Sequence, residues 1–188
     1  MLTIGILAIQ GAFIEHENRL KGLKIKTFEI RQLSDLTKEM DGLILPGGES
    51  TAMKRLLLDL NMFESLKKRI MNGLPTFGIC AGLILLSKEI VSEKPHLELL
   101  DIKVARNFYG RQKDSFKDYG QTKNKKIPMT FIRAPKIISI EKNVMPIAWY
   151  NDSIVGVKQK HILGTTFHPE LDKSNEIYEI FIDMIKNA

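Results

Sequence analysis

Cys80 is the only cysteine in the chain, and it is framed by glycines in the stretch Pro75-Thr76-Phe77-Gly78-Ile79-Cys80-Ala81-Gly82-Leu83-Ile84-Leu85-Leu86. The apolar run ahead of Cys80 reads as a buried strand and the run behind it as a helix start, so the thiol falls on a strand-turn-helix elbow. Gly78 and Gly82 stand where a tight turn brings backbones too close for a Cβ. At the apex, the unpaired N–H groups and positive end of the helix favour the thiolate, which is a nucleophile. An isolated cysteine in an apolar run is ordinarily a small core residue. The paired glycines argue for chemistry instead.

A thiolate nucleophile needs a base, and the chain offers His16, His96, His161 and His168. Only His168 comes with an orienting group, in Phe167-His168-Pro169-Glu170. Residues two apart in an extended segment point the same way, so Glu170 can accept one imidazole N–H while His168 turns its other nitrogen to Cys80. Pro169 restricts the backbone between them. The three residues describe a Cys-His-Glu triad. His16 among helix charges, His96 after Pro95 and His161 beside Lys160 read as surface residues. A tetrahedral oxyanion would need donors, and the Ala81 N–H and an N–H of the Gly47-Gly48 turn are candidates. The glycine turn is equally compatible with a plain loop or with phosphate, although it lacks the Lys-Ser/Thr of a phosphate loop.

The elements that must hold these groups alternate along the first half. Residues 2–9 are nearly all apolar, as in a strand buried on both faces of a parallel sheet. A helix over residues 12–23, a strand over 25–28 and a short helix or loop over 33–40 follow. Gly42-Leu43-Ile44-Leu45 is again a buried strand, stopped by Pro46-Gly47-Gly48. Glu49-Ser50-Thr51 then opens a helix carrying Met53, Leu56, Leu57 and Leu60, and a second helix covers residues 63–71. This alternation predicts an α/β, doubly wound sheet with its sites at the carboxyl ends of the strands. From about Asp101 short strand-like runs predict an antiparallel extension of that sheet, at residues 102–104, 130–132, 137–140, 147–149, 154–157 and 162–166. The lysine-rich residues 113–126 read as an exposed loop. Residues 176–186 close the chain as an amphipathic helix.

A chain of 188 residues suits one domain, residues 1–188, that buries roughly 70% of its unfolded surface. One cysteine excludes an internal disulfide and suits a reducing cytoplasm. Residues 2–9 lack a basic lead-in and are too short to span a bilayer, so they read as a strand and not as a signal or membrane anchor. The net charge of +6 comes mostly from dispersed lysines, with a cluster at Lys123, Lys125 and Lys126. No nucleic-acid module or basic-aromatic interleaving accompanies it, so a solvated basic surface is expected, not a nucleic-acid partner.

The cysteine elbow Gly78-Ile79-Cys80-Ala81-Gly82, followed by Phe167-His168-Pro169-Glu170, resembles the triad-type (class I) glutamine amidotransferases. Leu7-Ala8-Ile9-Gln10-Gly11, Leu45-Pro46-Gly47-Gly48-Glu49-Ser50-Thr51, Arg106-Asn107-Phe108-Tyr109-Gly110-Arg111-Gln112 and Phe131-Ile132-Arg133-Ala134-Pro135 resemble, more narrowly, the glutaminase subunits of pyridoxal 5'-phosphate synthase. The resemblance runs from the first strand to the last helix. It implies a three-layer, mostly parallel, flavodoxin-like sheet of the class I amidotransferase type. It implies L-glutamine as substrate, with Cys80 attacking the carboxamide carbon, His168 passing a proton to the leaving ammonia and Glu170 holding His168. Water would then hydrolyse the glutamyl thioester. Gly48, Glu49, Ser50, Arg106, Ile132 and Arg133 match glutamine-binding positions, and the backbones of Gly48 and Ala81 the oxyanion hole. No cofactor and no metal are implied.

The same resemblance implies a partner, a barrel protein that is the synthase subunit, in a large hetero-oligomeric complex. The edge carrying Gln10-Gly11, Gly47-Gly48 and Cys80 would lie against it, and the glutaminase would be nearly idle until docked. Two departures stand out: Ile79, where relatives often have threonine, and Thr166, where serine is common. Neither removes a catalytic group. Arg111 and Asp114-Ser115-Phe116 fit the family pattern and equally fit a structural role. Other readings keep part of this picture: a glutaminase serving histidine, purine or anthranilate synthesis, a stand-alone cysteine hydrolase, or a binding module with a residual elbow. The Arg106-to-Gln112 and Phe131-to-Pro135 motifs speak against the first, and the intact Cys80, His168 and Glu170 against the last.

Overall fold

The computed structural model describes residues 1–106 and 115–188. Its first half alternates as the apolar runs predict: β1 (Thr3–Leu7), α1 (Phe13–Gly22), β2 (Lys26–Ile30), a 3-10 turn at Leu33–Thr37, β3 (Gly42–Leu45), α2 (Ser50–Asp59), α3 (Phe63–Met71), β4 (Thr76–Ile79) and α4 (Ala81–Leu86). Every residue of β3 and β4 is buried, which is why these runs are continuously apolar. The second half holds β5 (Ser87–Ile90), β6 (Leu100–Ala105), β7 (Ser115–Thr122), β8 (Lys126–Ile132), β9 (Lys136–Ile140), β10 (Met145–Tyr150), β11 (Ser153–Gln159), β12 (Ile162–Thr165) and α5 (Glu176–Lys186).

A nine-stranded sheet runs β2-β1-β3-β4-β12-β11-β10-β7-β8. Its first five strands are parallel, in the flavodoxin-like order, and the remaining four extend it antiparallel. Side chains alternate across the parallel strands. Ile4, Ile6, Ile44 and Phe77 meet Leu20 of α1 and Phe181 and Ile185 of α5 on one face. Leu7, Leu43 and Leu45 meet Met53 and Leu57 of α2 and Leu66 and Ile70 of α3 on the other. This is a three-layer α/β architecture, as expected.

Three details differ from the sequence reading. Residues 115–122, expected within an exposed loop, form strand β7, paired with β8 from Ser115 opposite Ile132 to Gln121 opposite Lys126. Its apolar anchor is a cross-strand stack, Phe116 on Phe131 at 4.8 Å, while Ser115, Lys117, Asp118 and Gln121 are exposed. A strand with one wet face and few apolar residues has no local signature strong enough to outweigh its lysines. Second, β6 and β9 leave the main sheet for a separate three-stranded sheet, β5-β6-β9. Third, β12 is not part of the antiparallel extension but lies parallel to β4 in the middle of the main sheet. Order along the chain does not reveal which neighbour a strand joins.

Candidate active site

Strand pairing brings the distant halves of the site together. β12 lies beside β4 with Thr165 opposite Ile79, and the Cys80 N–H donates to Thr165 O at 2.9 Å. Cys80 is therefore one residue beyond β4, and His168 three residues beyond β12, on the same carboxyl edge. Cys80 holds φ +48° and ψ −97°, a strained conformation for a residue with a side chain, and caps the first turn of α4. The two glycines behave as expected: a Cβ on Gly82 would stand 2.0 Å from Leu45 O, and one on Gly78 would stand 2.8 Å from Gly82 O.

The segment after β12 is clamped to β8. The His168 N–H donates to Thr130 O at 2.8 Å, and the Asp172 carboxylate accepts the Thr130 N–H at 2.8 Å and its hydroxyl at 2.9 Å. Lys117 Nζ reaches the same carboxylate at 3.0 Å. So held, His168 Nδ1 lies 2.6 Å from Glu170 Oε1, both side chains buried. Burial pulls the His168 imidazole down, but its nearness to Cys80 and its hydrogen bond to the negatively charged Glu170 outweigh it, pushing it up to about 10. Burial likewise pushes the Glu170 carboxyl up, and the contacts with His168 and His16 reverse this and hold it below the usual range. His168 Nε2 has no partner of conventional hydrogen-bond geometry, while the Cys80 thiol points to Ile132 O at a long 3.9 Å. Cys80 and His168 thus lie on one edge of the sheet, beyond the paired strands β4 and β12.

Cys80, His168 and Glu170 share a cavity of about 440 Å³ with Gly48, Glu49, Ser50, Arg106, Ile132 and Arg133. That size suits a small polar ligand. Ala81, expected only for its N–H, is the first residue of α4. Glu49 caps α2 by accepting the Ala52 N–H at 2.9 Å and the Thr51 N–H at 3.4 Å. Burial raises its carboxyl, but these N–H groups and Arg106 outweigh it and keep it ionised to lower pH than usual. Arg106 pairs with Glu49, bonds Thr51 Oγ1 at 2.7 Å and pairs with Glu93 at 3.0 Å. Arg133, exposed and in the left-handed region at φ +45°, makes no ion pair with a described side chain. Ser50 Oγ is buried without a hydrogen-bond partner among the described residues.

The Gly47-Gly48 turn is held from the chain after β1. Ala12 N–H donates to Gly47 O at 2.9 Å, fixing the peptide plane that also carries the Gly48 N–H. The Gln10 side-chain oxygen accepts the Glu49 N–H at 2.9 Å. Residues 107–112 of the Arg106 motif, Lys113 and Asp114 lie outside the described residues.

The expectation that His16, His96 and His161 are surface residues is overturned for His16 and His96, while His161 is half-buried. His16 and His96 are buried, and His161 Nε2 bonds Ile70 O at 2.7 Å. His16 is wholly buried against α5, with Nδ1 2.6 Å from Tyr178 Oη and Nε2 3.7 Å from Glu170 Oε2. Its neighbour Glu15 is exposed, and which face of α1 is covered could be found only by knowing where α5 packs. Asp172 also escaped sequence reading; its spacing, two residues beyond Glu170, was the available signal.

The SNO glutamine amidotransferase family model matches residues 6–187. The chain is 49% identical to the pyridoxal 5'-phosphate synthase subunit PdxT of Methanocorpusculum labreanum, over 98% of each chain. It is also 49% identical to that of Haemophilus influenzae, over the full length of both. A crystal structure of a glutamine amidotransferase superposes with a TM-score of 0.91 at 37% identity, covering 97% of this chain and 98% of the other. With elbow, triad geometry and fold in agreement with a match over nearly its whole length, the chain belongs to the SNO glutamine amidotransferase family.

Proposed function

We propose that residues 1–188 act as one glutaminase domain that hydrolyses L-glutamine to L-glutamate and ammonia, supplying the ammonia to the synthase subunit of a pyridoxal 5'-phosphate synthase. The observation that carries this reading is the β4–β12 register, which sets Cys80 against a histidine already bonded to a buried carboxylate. The PdxT relatives support the synthase assignment.

The raised His168 imidazole favours an imidazolium beside the Cys80 thiolate. Sγ adds to the carboxamide carbon of glutamine, and the C=O electron pair moves onto oxygen. The Ala81 and Gly48 N–H groups receive that oxyanion, each worth about 3 kcal/mol of barrier. His168 gives its proton to the amide nitrogen, the C–N bond breaks, and ammonia leaves a glutamyl thioester. Now neutral, His168 takes a proton from water as the water oxygen adds to the thioester carbon. The C–S bond then breaks, the thiolate returns and glutamate leaves. Glu170 keeps His168 oriented and offsets its charge throughout. Glu49 suits the α-ammonium of glutamine, Arg106 and Arg133 its α-carboxylate, and Ser50 Oγ offers a further polar contact.

Docking to the partner, a barrel protein in a hetero-oligomeric complex, uses the edge around Gln10, Gly47 and Cys80. Exposed apolar side chains support this: Leu171, 40% exposed, and Ile132, 37% exposed, line the cavity, and Ile14 in the first turn of α1 is 55% exposed. Among the described residues no helix is long and apolar enough to cross a membrane. The free thiol of Cys80 suits a reducing cytoplasm.

Glutamate release from L-glutamine, assayed with the chain alone and with a synthase subunit from the same source, tests the reading. A low rate that rises sharply on mixing is expected. No glutamate in either case rejects the glutaminase; a high rate unchanged by mixing rejects the partner.

A further inference from the structure

Glu170 is buried, and only one of its oxygens is hydrogen-bonded to another side chain. Oε1 meets His168 Nδ1, whereas Oε2 is buried without a hydrogen-bond partner among the described residues. A buried carboxylate oxygen left bare is costly, so its surroundings matter. The group facing it is His16 Nε2, itself buried and without a partner, 3.7 Å away. On its other side His16 is fixed by Tyr178, whose Oη lies 2.6 Å from Nδ1. A row of side chains thus runs from α5 through α1 to the nucleophile: Tyr178, His16, Glu170, His168, Cys80.

The proton positions along this row follow from chemistry. Burial, with Glu170 nearby, pushes the Tyr178 hydroxyl well above its usual range, so it stays an O–H donor. Burial drives the His16 imidazole down to about 4, against the raising influence of Glu170, so it is neutral at working pH. A neutral imidazole has one donor and one acceptor nitrogen. If Tyr178 donates, Nδ1 accepts and the remaining proton sits on Nε2, toward the bare oxygen. At 3.7 Å between buried side chains this is a dipole acting on a charge and not a formed hydrogen bond.

We propose that His16, fixed by Tyr178, is a positioning residue for the glutaminase reaction: its Nε2–H faces Glu170 Oε2 and holds the carboxylate in the rotation that offers Oε1 to His168. The proposal rests on the glutaminase reading above. Without His16 the carboxylate can turn, and His168 loses its fixed orientation. The ionisable groups around His16 are Glu15 and Arg19 on α1, His168 and Glu170 after β12, and Tyr178 on α5.

The full chain with its synthase subunit is assayed on L-glutamine as wild type, His16→Phe, His16→Gln and Tyr178→Phe. His16→Phe is expected to lower kcat about tenfold or more, with KM changed less than about twofold. His16→Gln, whose amide can place an N–H near the Nε2 position, recovers most of that loss. Tyr178→Phe frees Nδ1, makes His16 easier to protonate and draws Glu170 away from His168 in acid, so the acid limb of kcat moves to higher pH. Nitrogen-15 histidine shifts of the folded chain at neutral pH give the Nε2–H tautomer for His16.

A His16→Phe enzyme with wild-type kcat overturns the proposal, as does a His16 that carries its proton on Nδ1 or on both nitrogens. Equal losses in His16→Gln and His16→Phe do so too. Should His16→Phe fail to fold, the Tyr178→Phe profile and the tautomer decide. A wild-type enzyme inactive on glutamine would strike the glutaminase reading instead, with the tautomer still testing the His16–Tyr178 arrangement.

Discussion

Gly47 packs its Cα against the edge of the His168 ring so closely that a Cβ there would stand 2.4 Å from Cε1 and 3.0 Å from Nδ1. The glycine turn after β3 is therefore one wall of the slot that sets the plane of the His168 ring. Gly47→Ala should rotate or displace His168 and break the 2.6 Å contact with Glu170. A kcat loss of at least about a hundredfold is expected, with the fold retained, because misplacing a reacting group by about 1 Å costs that much. Steady-state kinetics alongside circular dichroism checks it; near-normal kcat would mean the ring has room to spare.

Glu170→Gln removes a hydrogen-bonded negative charge that helps lift His168 to about 10. Burial then weighs more heavily, so the imidazolium loses its proton at lower pH. The alkaline limb of kcat/KM should move toward neutrality, and kcat should fall by between about 10-fold and 10⁴-fold. Stability should follow the same sign. A histidine raised in the folded state above its ordinary 6.5 contributes stability that is complete below pH 6.5 and lost as pH rises through about 10. The variant should lose less stability over that alkaline interval than the wild type, as denaturant titrations at several pH values would report.

The contrast between Cys80 and His16 shows what a sequence makes legible. The elbow could be read because everything that builds it is local: the glycines, the apolar strand and the helix start lie within residues 75–86. His168 and Glu170 could be read because they are two apart and already bear the chemistry of a base and its orienter. His16 could not, because its partners Tyr178 and Glu170 are more than 150 positions away and come near only when α5 packs on α1. Strand β7 was hidden for a similar reason, since the phenylalanine it stacks on belongs to β8. Continuous apolar strands announce themselves; pairings, second neighbours and half-wet edges are settled by tertiary contacts.

The two arginines of the cavity should separate on mutation. Arg106 is already engaged with Glu49, Thr51 and Glu93, whereas Arg133 pairs with no described side chain. Arg133→Ala should raise KM for glutamine about tenfold with little change in kcat or melting temperature, the signature of a lost ligand contact. Arg106→Ala should raise KM as well, and in addition lower the melting temperature, because it releases the carboxylate that caps α2. Thermal melts and glutamine saturation curves on both variants are sufficient. An unchanged KM in Arg133→Ala would leave the α-carboxylate to Arg106.

The carboxyl edge of the sheet carries exposed apolar side chains. Ile14, in the first turn of α1, is 55% exposed, and Leu171, which lines the cavity, is 40% exposed. Charges introduced there meet water in the free protein, so Ile14→Asp and Leu171→Asp should change stability by no more than about 0.5 kcal/mol. With the proposed docking edge, the same charges would be buried against the partner in the complex, at a cost of roughly 1–3 kcal/mol each. Both variants should bind the synthase subunit at least about tenfold more weakly and lose stimulation of glutamine hydrolysis at limiting partner. Met71→Asp is the control: Met71 is 63% exposed but ends α3 just ahead of β4, on the opposite, amino edge of the sheet. Titration calorimetry on the three variants distinguishes the edges. Weakening by Met71→Asp but not by the other two would move the docking surface to the far side of the sheet, away from Cys80, and with it the route by which ammonia leaves.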